Sequence, residues 1–418
     1  MRRCVGIGLS EHSIRAVVTG ADMSGWSADR MSVSPVLVVA PGMGALVGAQ
    51  AERFAASGGG AVFRDFLGRV GDPVPVVGSD GSARLGADLV AMTIGSLLPR
   101  GSARRDLAQL VIAHSSGWGP YEMSVLHSAL TCTEAQDVPT SLVRSPVAAV
   151  TAAVAAGLMS HSETAIVADI GGQRTEVALV TGAEDHVGSV GATSRTDDLS
   201  AAELDRALAR HVLEQAGADL PEPDLTGFAN RAIVRDVLAA CRRARKDLIR
   251  DTSTVVDLRL PARHIPVRIV RAEFEALARE PICAGLSTIA RVIRQARDNG
   301  NEVNAIVITG ELARVPLITE LISAQWACRV NIPPSPEWAA ASGAAQLAVR
   351  RAPSRPITSL SPARLRASSP QQPQPVASRA VPSLHVASAR HARPTGERKW
   401  TLRWGALRLT AALVPQDD

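Results

Sequence analysis

Apolar runs broken by short polar turns begin at once. Cys4-Val-Gly6-Ile-Gly8-Leu9 and Ile14-Arg-Ala-Val-Val-Thr19 flank Ser10-Glu11-His12-Ser13, which predicts a β-hairpin. Pro35–Ala40 predicts a third strand, and Leu46–Ala51 a strand end running into a helix. Leu107–Ala113 is nearly unbroken apolar sequence, the mark of a buried strand. Gly119–Leu130 reads as helical with Pro120 near its start, Val138–Val143 as a strand, and Pro146 opens an Ala/Val-rich helix to Gly157. A second hairpin follows in Ala165-Ile-Val-Ala-Asp169-Ile-Gly171-Gly172-Gln173-Arg174-Thr-Glu176-Val-Ala-Leu-Val180. From residue 199 the pattern turns helical, with one stripe of Leu204, Leu208, His211 and Val212. Ile233, Val237, Cys241, Ala244 and Leu248 make another, with Arg242, Arg243, Arg245 and Lys246 on its polar side, which by default is a solvated face. Strands at 254–260 and 267–270, a helix over 272–293 broken near Pro281, a buried strand at 305–310, and helices over 316–325 and 338–349 complete an α/β alternation.

The second hairpin carries the candidate chemistry. Two glycines let a backbone approach phosphate and aim N–H groups at it, and Asp169 and Glu176 could hold Mg²⁺ directly or through water. An ordinary hairpin with a solvated turn fits the same residues.

Composition narrows the class. At 418 residues the chain suits two or three domains. Aromatics are only 3 %, so the core must come from Val, Leu, Ile and Ala. A formal charge of +5 is small for this length and does not point to nucleic acid. The five cysteines form no CxxC pair, which excludes the usual zinc spacing and suggests buried reduced thiols. No apolar run approaches a spanning helix and no leader-like segment precedes Cys4, so a cytoplasmic protein without a transmembrane segment is expected. Residues 351–398 are rich in Pro, Ser, Ala, Gln and Arg and predict a disordered basic linker. Residues 399–418, with Trp400, Trp404 and Leu407, read either as a docking element for a protein partner or as a segment that packs back on the chain.

The two hairpins and Thr309-Gly310-Glu311-Leu-Ala-Arg314-Val-Pro316 resemble the phosphate and adenosine loops of the actin-like ATPase superfamily. The closer resemblance is to the nucleotide-binding domain of DnaK-type (70-kDa heat-shock) chaperones. It runs through Ser34–Val39 with Leu46–Ala51, Phe63–Pro73, Ser145–Ala149 with Ala156–Leu158, Cys241–Leu248, Val270–Glu275 and Pro336–Ala345. The resemblance implies a two-lobed α/β fold of duplicated ribonuclease H-like domains, with lobe I over 1–160 and lobe II over 161–350. It also implies a cleft for ATP or ADP with Mg²⁺.

The expected site departs from the family pattern. Gly8-Leu9-Ser10-Glu11-His12 matches a segment that reads Asp-Leu-Gly-Thr-Thr in the family; a protonated His12 would attract phosphate where Glu11 would repel it. Arg64 stands at the catalytic lysine position, and Ser145 at that of a glutamate. Gln173 and Arg174 replace a glycine and a threonine, and Glu311 replaces the second glycine of the adenosine loop. The expected site is therefore Asp169 and Arg64 for catalysis, and Asp169 and Glu176 for metal. Nucleotide contacts are expected from Ser10, Glu11, His12, Gly171, Gly172, Gln173, Arg174, Arg245, Gly310, Glu311 and Arg314.

Phosphoryl transfer needs preorganised charge, so little or no hydrolysis is expected. Residues 351–418 are also too few for the family's β-sandwich substrate domain. The expected function is an accessory, regulatory or scaffold protein. Its Arg-rich, Lys-poor composition suggests an actinobacterial source, and the resemblance to truncated DnaK-like proteins of such organisms implies an accessory of type VII secretion. A slow ATPase or kinase and an actin-like filament protein are the alternatives.

Overall fold

The computed structural model describes residues 3–20, 29–40, 42–99, 106–182, 187–217, 228–260 and 263–352. The expected linker beyond 352 and the docking element at 399–418 lie outside the described residues.

The first half begins with β1 (Arg3–Ser10), β2 (Ser13–Gly20) and β3 (Asp29–Val33). A side layer follows: β4 (Val36–Val39), β5 (Leu46–Val47), α1 (Gly48–Ala56), β6 (Ala61–Arg64), β7 (Val76–Val77) and β8 (Ala83–Arg84). Then come α2 (Gly86–Leu97), β9 (Leu107–His114), α3 (Pro120–Thr131), β10 (Thr140–Arg144) and α4 (Ser145–Ala155). The main sheet has the order β10-β9-β1-β2-β3. Its first three strands meander antiparallel, while β1, β9 and β10 run parallel. The interior strand β9 is buried along all eight residues, as its apolar run predicts.

The second half repeats this plan. It contains β11 (Ala165–Ile170), β12 (Thr175–Gly182), β13 (Val187–Thr196), α5 (Ala201–Gln215), α6 (Phe228–Leu248), β14 (Ser253–Leu260), β15 (Arg263–Val270), α7 (Arg271–Asp298), β16 (Ala305–Thr309), α8 (Pro316–Gln325), β17 (Arg329–Asn331) and α9 (Ala339–Arg351). The order β13-β12-β11-β16-β17 matches the first sheet strand for strand, again with three antiparallel and then two parallel. This is the duplicated two-lobed architecture that the sequence resemblance implies. The hairpin β14–β15 and helices α5 to α7 build most of the second lobe's apolar core beside its sheet.

The lobes exchange their last helices. Helix α4 follows the first sheet in the chain, yet its Ala149, Val150, Ala152 and Ala153 pack with Ala165, Val167 and Val180 of the second. Helix α9 follows the second sheet, yet its Ala341, Ala344, Ala345 and Ala348 pack with Cys4, Val17, Val111 and Ala113 of the first. A boundary at 160 follows the chain, but packing does not. The contacts are close enough to demand glycine. A Cβ on Gly6 would lie 2.0 Å from Ala345 N, and one on Gly343 only 1.7 Å from the Ala148 carbonyl oxygen. No side chain fits at either place without moving backbone.

Three expectations change. Helix α7 continues through Pro281, so only the local hydrogen bond is lost. Its exposed neighbour Glu280 marks a solvent-facing turn, where water can satisfy the freed carbonyl. Cys4 and Cys241 are buried, but Cys132 and Cys283 are exposed and Cys328 is half-buried, so the thiols are not uniformly sequestered. Burial, with Asp205 nearby, pushes the Cys241 thiol up to about 12. Finally, the basic face of α6 is not wholly solvated, because Arg245 is fully buried. Among the described residues no helix is long and apolar enough to cross a membrane.

Candidate functional site

The two hairpins face each other across a cleft made of two adjoining cavities of about 270 and 630 Å³. Both are lined by Leu9, Ser10, His12, Ser145, Asp169, Gly171 and Gly172. In the first hairpin, Ser10 pairs with Ser13, leaving Glu11 and His12 as the two-residue turn. Ser13 N donates to Ser10 Oγ at 3.2 Å and stiffens it. In the second, Gly171 N donates to the Arg174 carbonyl at 3.0 Å. The Gly171 and Gly172 carbonyls accept from Ala201 N and Ala202 N at the start of α5, at 3.0 and 2.9 Å. With no cis peptide among the described residues, the N–H groups of Gly172 and Gln173 therefore point away from α5.

The hairpins touch. The His12 ring lies over Gly172, where an added Cβ would meet His12 Cδ2 at 2.7 Å. Arg174 Nε lies 3.3 Å from Glu11 Oε1 and 3.4 Å from Asp197 Oδ1. Glu11 thus has an internal counter-ion, which offsets the repulsion expected of it. Burial pushes His12 below the ordinary histidine value; Glu11 opposes this and Arg242 reinforces it. A neutral His12 fills space but does not attract phosphate, contrary to the sequence expectation.

Asp169 ends β11 at the cleft floor. Protein atoms crowd it on most sides, while its outer edge stays open to the cleft. Burial drives its carboxyl up to about 6; Glu176 pushes the same way, while a hydrogen bond from Thr309 and the charge of Arg15 oppose. Glu176, its cross-strand partner, is engaged elsewhere. Ser115 Oγ donates to Glu176 Oε1 at 2.6 Å, and Ser116 N and Oγ donate to Oε2 at 3.3 and 3.2 Å. The carboxylate therefore staples the loop after β9 to the second lobe.

The adenosine-loop side is a charged lattice. Gly310 has φ +91°, and a Cβ there would meet the Ile170 carbonyl oxygen at 2.4 Å and Asp169 Oδ1 at 2.5 Å, so glycine is required. Arg245 Nη2 donates to Glu311 Oε1 at 2.8 Å, and Arg245 Nε to Asp205 Oδ1 at 2.7 Å. Arg242 Nε reaches Asp205 Oδ2 at 3.4 Å, and Lys246 Nζ lies 3.7 Å from Glu311 Oε1. Burial opposes the Arg245 charge, but Asp205 and Glu311 overcome it and hold the guanidinium above its ordinary value. Burial likewise opposes the Glu311 carboxylate, and Arg245 holds it below the usual range. Arg314 lines the larger cavity and donates to the Pro334 carbonyl.

The cleft thus gathers Ser10, His12, Asp169, Gly171, Gly172, Glu311 and Arg314, with Glu11, Gln173, Arg174 and Glu176 on its smaller cavity. Gly310 shapes the floor. Two expected residues stand apart. Arg64 forms a bidentate pair with Glu52 of α1 at 3.2 and 3.0 Å, half-exposed, and lines neither cavity. Arg245 is spent as a strut between α5, α6 and the adenosine loop, while Arg242 and Lys246 line the cavity instead. Sequence reasoning missed Arg15, Ser115, Ser116 and Asp205. Arg15 had a signal, since it is the one charge in an apolar strand; the serines had none.

The residues do not suit a protein-coordinated Mg²⁺. Position 8 is glycine, Ser145 offers only a hydroxyl, and both Glu176 oxygens already accept hydrogen bonds. That leaves Asp169, a carboxyl that holds its proton more readily than usual. Among the described residues no group of three or more His, Cys, Asp or Glu side chains could enclose a metal. The glycine turn, the left-handed backbone at Gly310 and the cavity volumes do suit a phosphate-bearing ligand.

Comparison with known proteins agrees with this architecture. The chain is 29 % identical over 199 residues to a heat shock 70 kDa protein of Penicillium citrinum, covering 46 % of this chain and 39 % of that protein. It is 29 % identical over 199 residues to the heat shock 70 kDa protein of Emericella nidulans, covering 46 % of this chain and 30 % of that protein. It is 26 % identical over 196 residues to the chaperone protein dnaK3 of Synechococcus elongatus, covering 44 % and 25 %. The matched stretch thus spans well under half the length of each of these relatives. The family profile described as "Hsp70 protein" matches residues 142–358, just over half of the chain. That span holds the second hairpin, the charged lattice and the adenosine loop, and the chain belongs to the Hsp70 family.

Proposed function

We propose that the cleft binds an adenine nucleotide, with hydrolysis weak or absent, and that the chain acts in the cytoplasm as an accessory or regulatory protein. The supporting observation is the convergence of Asp169, Gly171, Gly172 and Arg314 on one cleft where Gly8 and Ser145 supply no carboxylate. Binding needs shape, backbone donors and positive charge. Hydrolysis needs, in addition, groups aimed at the transferred phosphoryl, and each one missing costs on the order of 100-fold in rate or more. Arg64 does not supply such a group, because Glu52 holds it outside the cleft. Calorimetric titration with ATP and ADP is expected to show binding, while phosphate release stays at the level of an Asp169→Ala control. Release clearly above that control would replace this reading with a slow ATP-dependent enzyme.

The narrower assignment, an accessory of type VII secretion machinery that docks a protein partner through residues 399–418, rests on the resemblance to truncated DnaK-like proteins and on the tail's apolar pattern. Affinity purification from a native host is expected to co-enrich secretion ATPases. Their consistent absence, or their retention by a chain lacking residues 399–418, would remove it.

A further inference from the structure

The cleft has a resident cation of its own. Arg15 projects from β2 into the larger cavity that Asp169 also lines. Its guanidinium lies 5.9 Å from the centroid of the Trp338 ring, and Arg30 packs on the same ring at 5.5 Å. Arg30 Nη1 also donates to Ser335 Oγ at 3.1 Å, which fixes the segment bearing the tryptophan. Burial pushes the Arg15 guanidinium below its ordinary value, with Asp169, Glu311 and Glu337 opposing, and an arginine stays protonated all the same. A planar guanidinium held over an aromatic ring is a preorganised donor for phosphate oxygens.

The carboxylates that would recruit a divalent ion are correspondingly absent or engaged. Glu176 is consumed by Ser115 and Ser116. Position 8 cannot regain an acidic side chain cheaply, because even a Cβ there would sit 3.0 Å from Ala341 N. The rim of the same cavity carries four cations, Arg242, Lys246, Arg250 and Arg314, against the three carboxylates of Asp247, Glu311 and Glu337.

We propose that this cleft takes its nucleotide without a divalent cation, with Arg15 supplying at the cleft floor the positive charge that a metal would otherwise bring. The inference rests on the nucleotide reading above and specifies the ligand's form: free ATP or ADP rather than the magnesium complex. The fixed charge costs no reorganisation on binding, whereas Mg²⁺ would bring its hydration shell against Arg15 and the basic rim. Magnesium therefore competes for the nucleotide in solution instead of assisting in the site.

The test is calorimetric titration of the full chain with ATP and with ADP, once in excess EDTA and once in excess Mg²⁺. Binding in EDTA is expected to equal or exceed that in Mg²⁺. An affinity that falls about tenfold or more when magnesium is removed overturns the inference and leaves the nucleotide reading standing. Absence of binding in both buffers overturns both. Arg15→Gln is expected to weaken binding in EDTA on the order of tenfold or more, with Arg15→Lys retaining part of it. Unchanged affinity in a folded Arg15→Gln protein also overturns the role of Arg15. The wild-type titration decides the question if that variant does not fold.

Discussion

Arg245→Met is expected to lower the unfolding free energy by about 3–5 kcal/mol, read from urea denaturation at neutral pH. The substitution keeps an unbranched side chain of similar length and removes only the guanidinium. Arg245 has no exposed side-chain surface, and Asp205 beneath it is 3 % exposed. Without Arg245, the Asp205 carboxylate keeps only Arg242, at 3.4 Å and itself more than half-exposed. An under-compensated buried charge is the expensive outcome, and the loss would be a large share of an ordinary domain's stability. Adding Asp205→Leu removes the stranded charge as well and is expected to recover most of the loss. A single variant within about 1 kcal/mol of the wild type would show that the pair is not a structural strut.

Asp169→Asn is expected to stabilise the fold above neutral pH and to lose that benefit in acid. The Asp169 carboxyl has a folded value of about 6 against an ordinary 3.8. Between those values the folded state binds a proton that the unfolded state does not, so this residue's contribution to stability falls as pH rises through the window. Above pH 6 the accumulated cost is on the order of 3 kcal/mol, a figure that already includes the opposing charge of Arg15. Asparagine keeps a group that can pair with Thr309 and carries no charge to desolvate. Urea denaturation at pH 8 and pH 4.5 checks this. A variant destabilised at pH 8, or shifted equally at both, would mean that burial does not dominate at this carboxyl.

The fold was legible where a local pattern carried it. Short turns between apolar runs, polar in the first and glycine-rich in the second, marked both hairpins, and the stripe from Val237 to Leu248 marked the buried face of α6. Helix α2 had no such signature, because nine of its twelve residues are buried and only the narrow stripe of Asp88, Met92 and Ser96 lies outside, too little polar face to set a period. The glycines and Asp169 of the site were readable for the same local reason. Its electrostatics were not. Arg245 meets Asp205 across 40 positions and Glu311 across 66, and Ser115 meets Glu176 across 61. Four basic residues on one helix read as a solvated face, and only the packing of α5 against α6 shows that one of them is enclosed. Arg64 misleads in the opposite way: its place in the family motif suggests chemistry, and a neighbour on α1 takes its charge.

The ribosome makes β1 first among the described elements and α9 last. At cellular elongation rates of about 5–20 residues per second, tens of seconds separate them. Until α9 arrives, Cys4, Val17, Val111 and Ala113 lack the alanines that cover them, and the close seat at Gly6 stands open. The amino-terminal sheet therefore cannot mature in the order in which it is synthesised. It waits, partly built and adhesive, for a helix from the far end of the described region, and a nascent chain stalled before residue 339 would present that uncovered face to the cell's quality-control machinery.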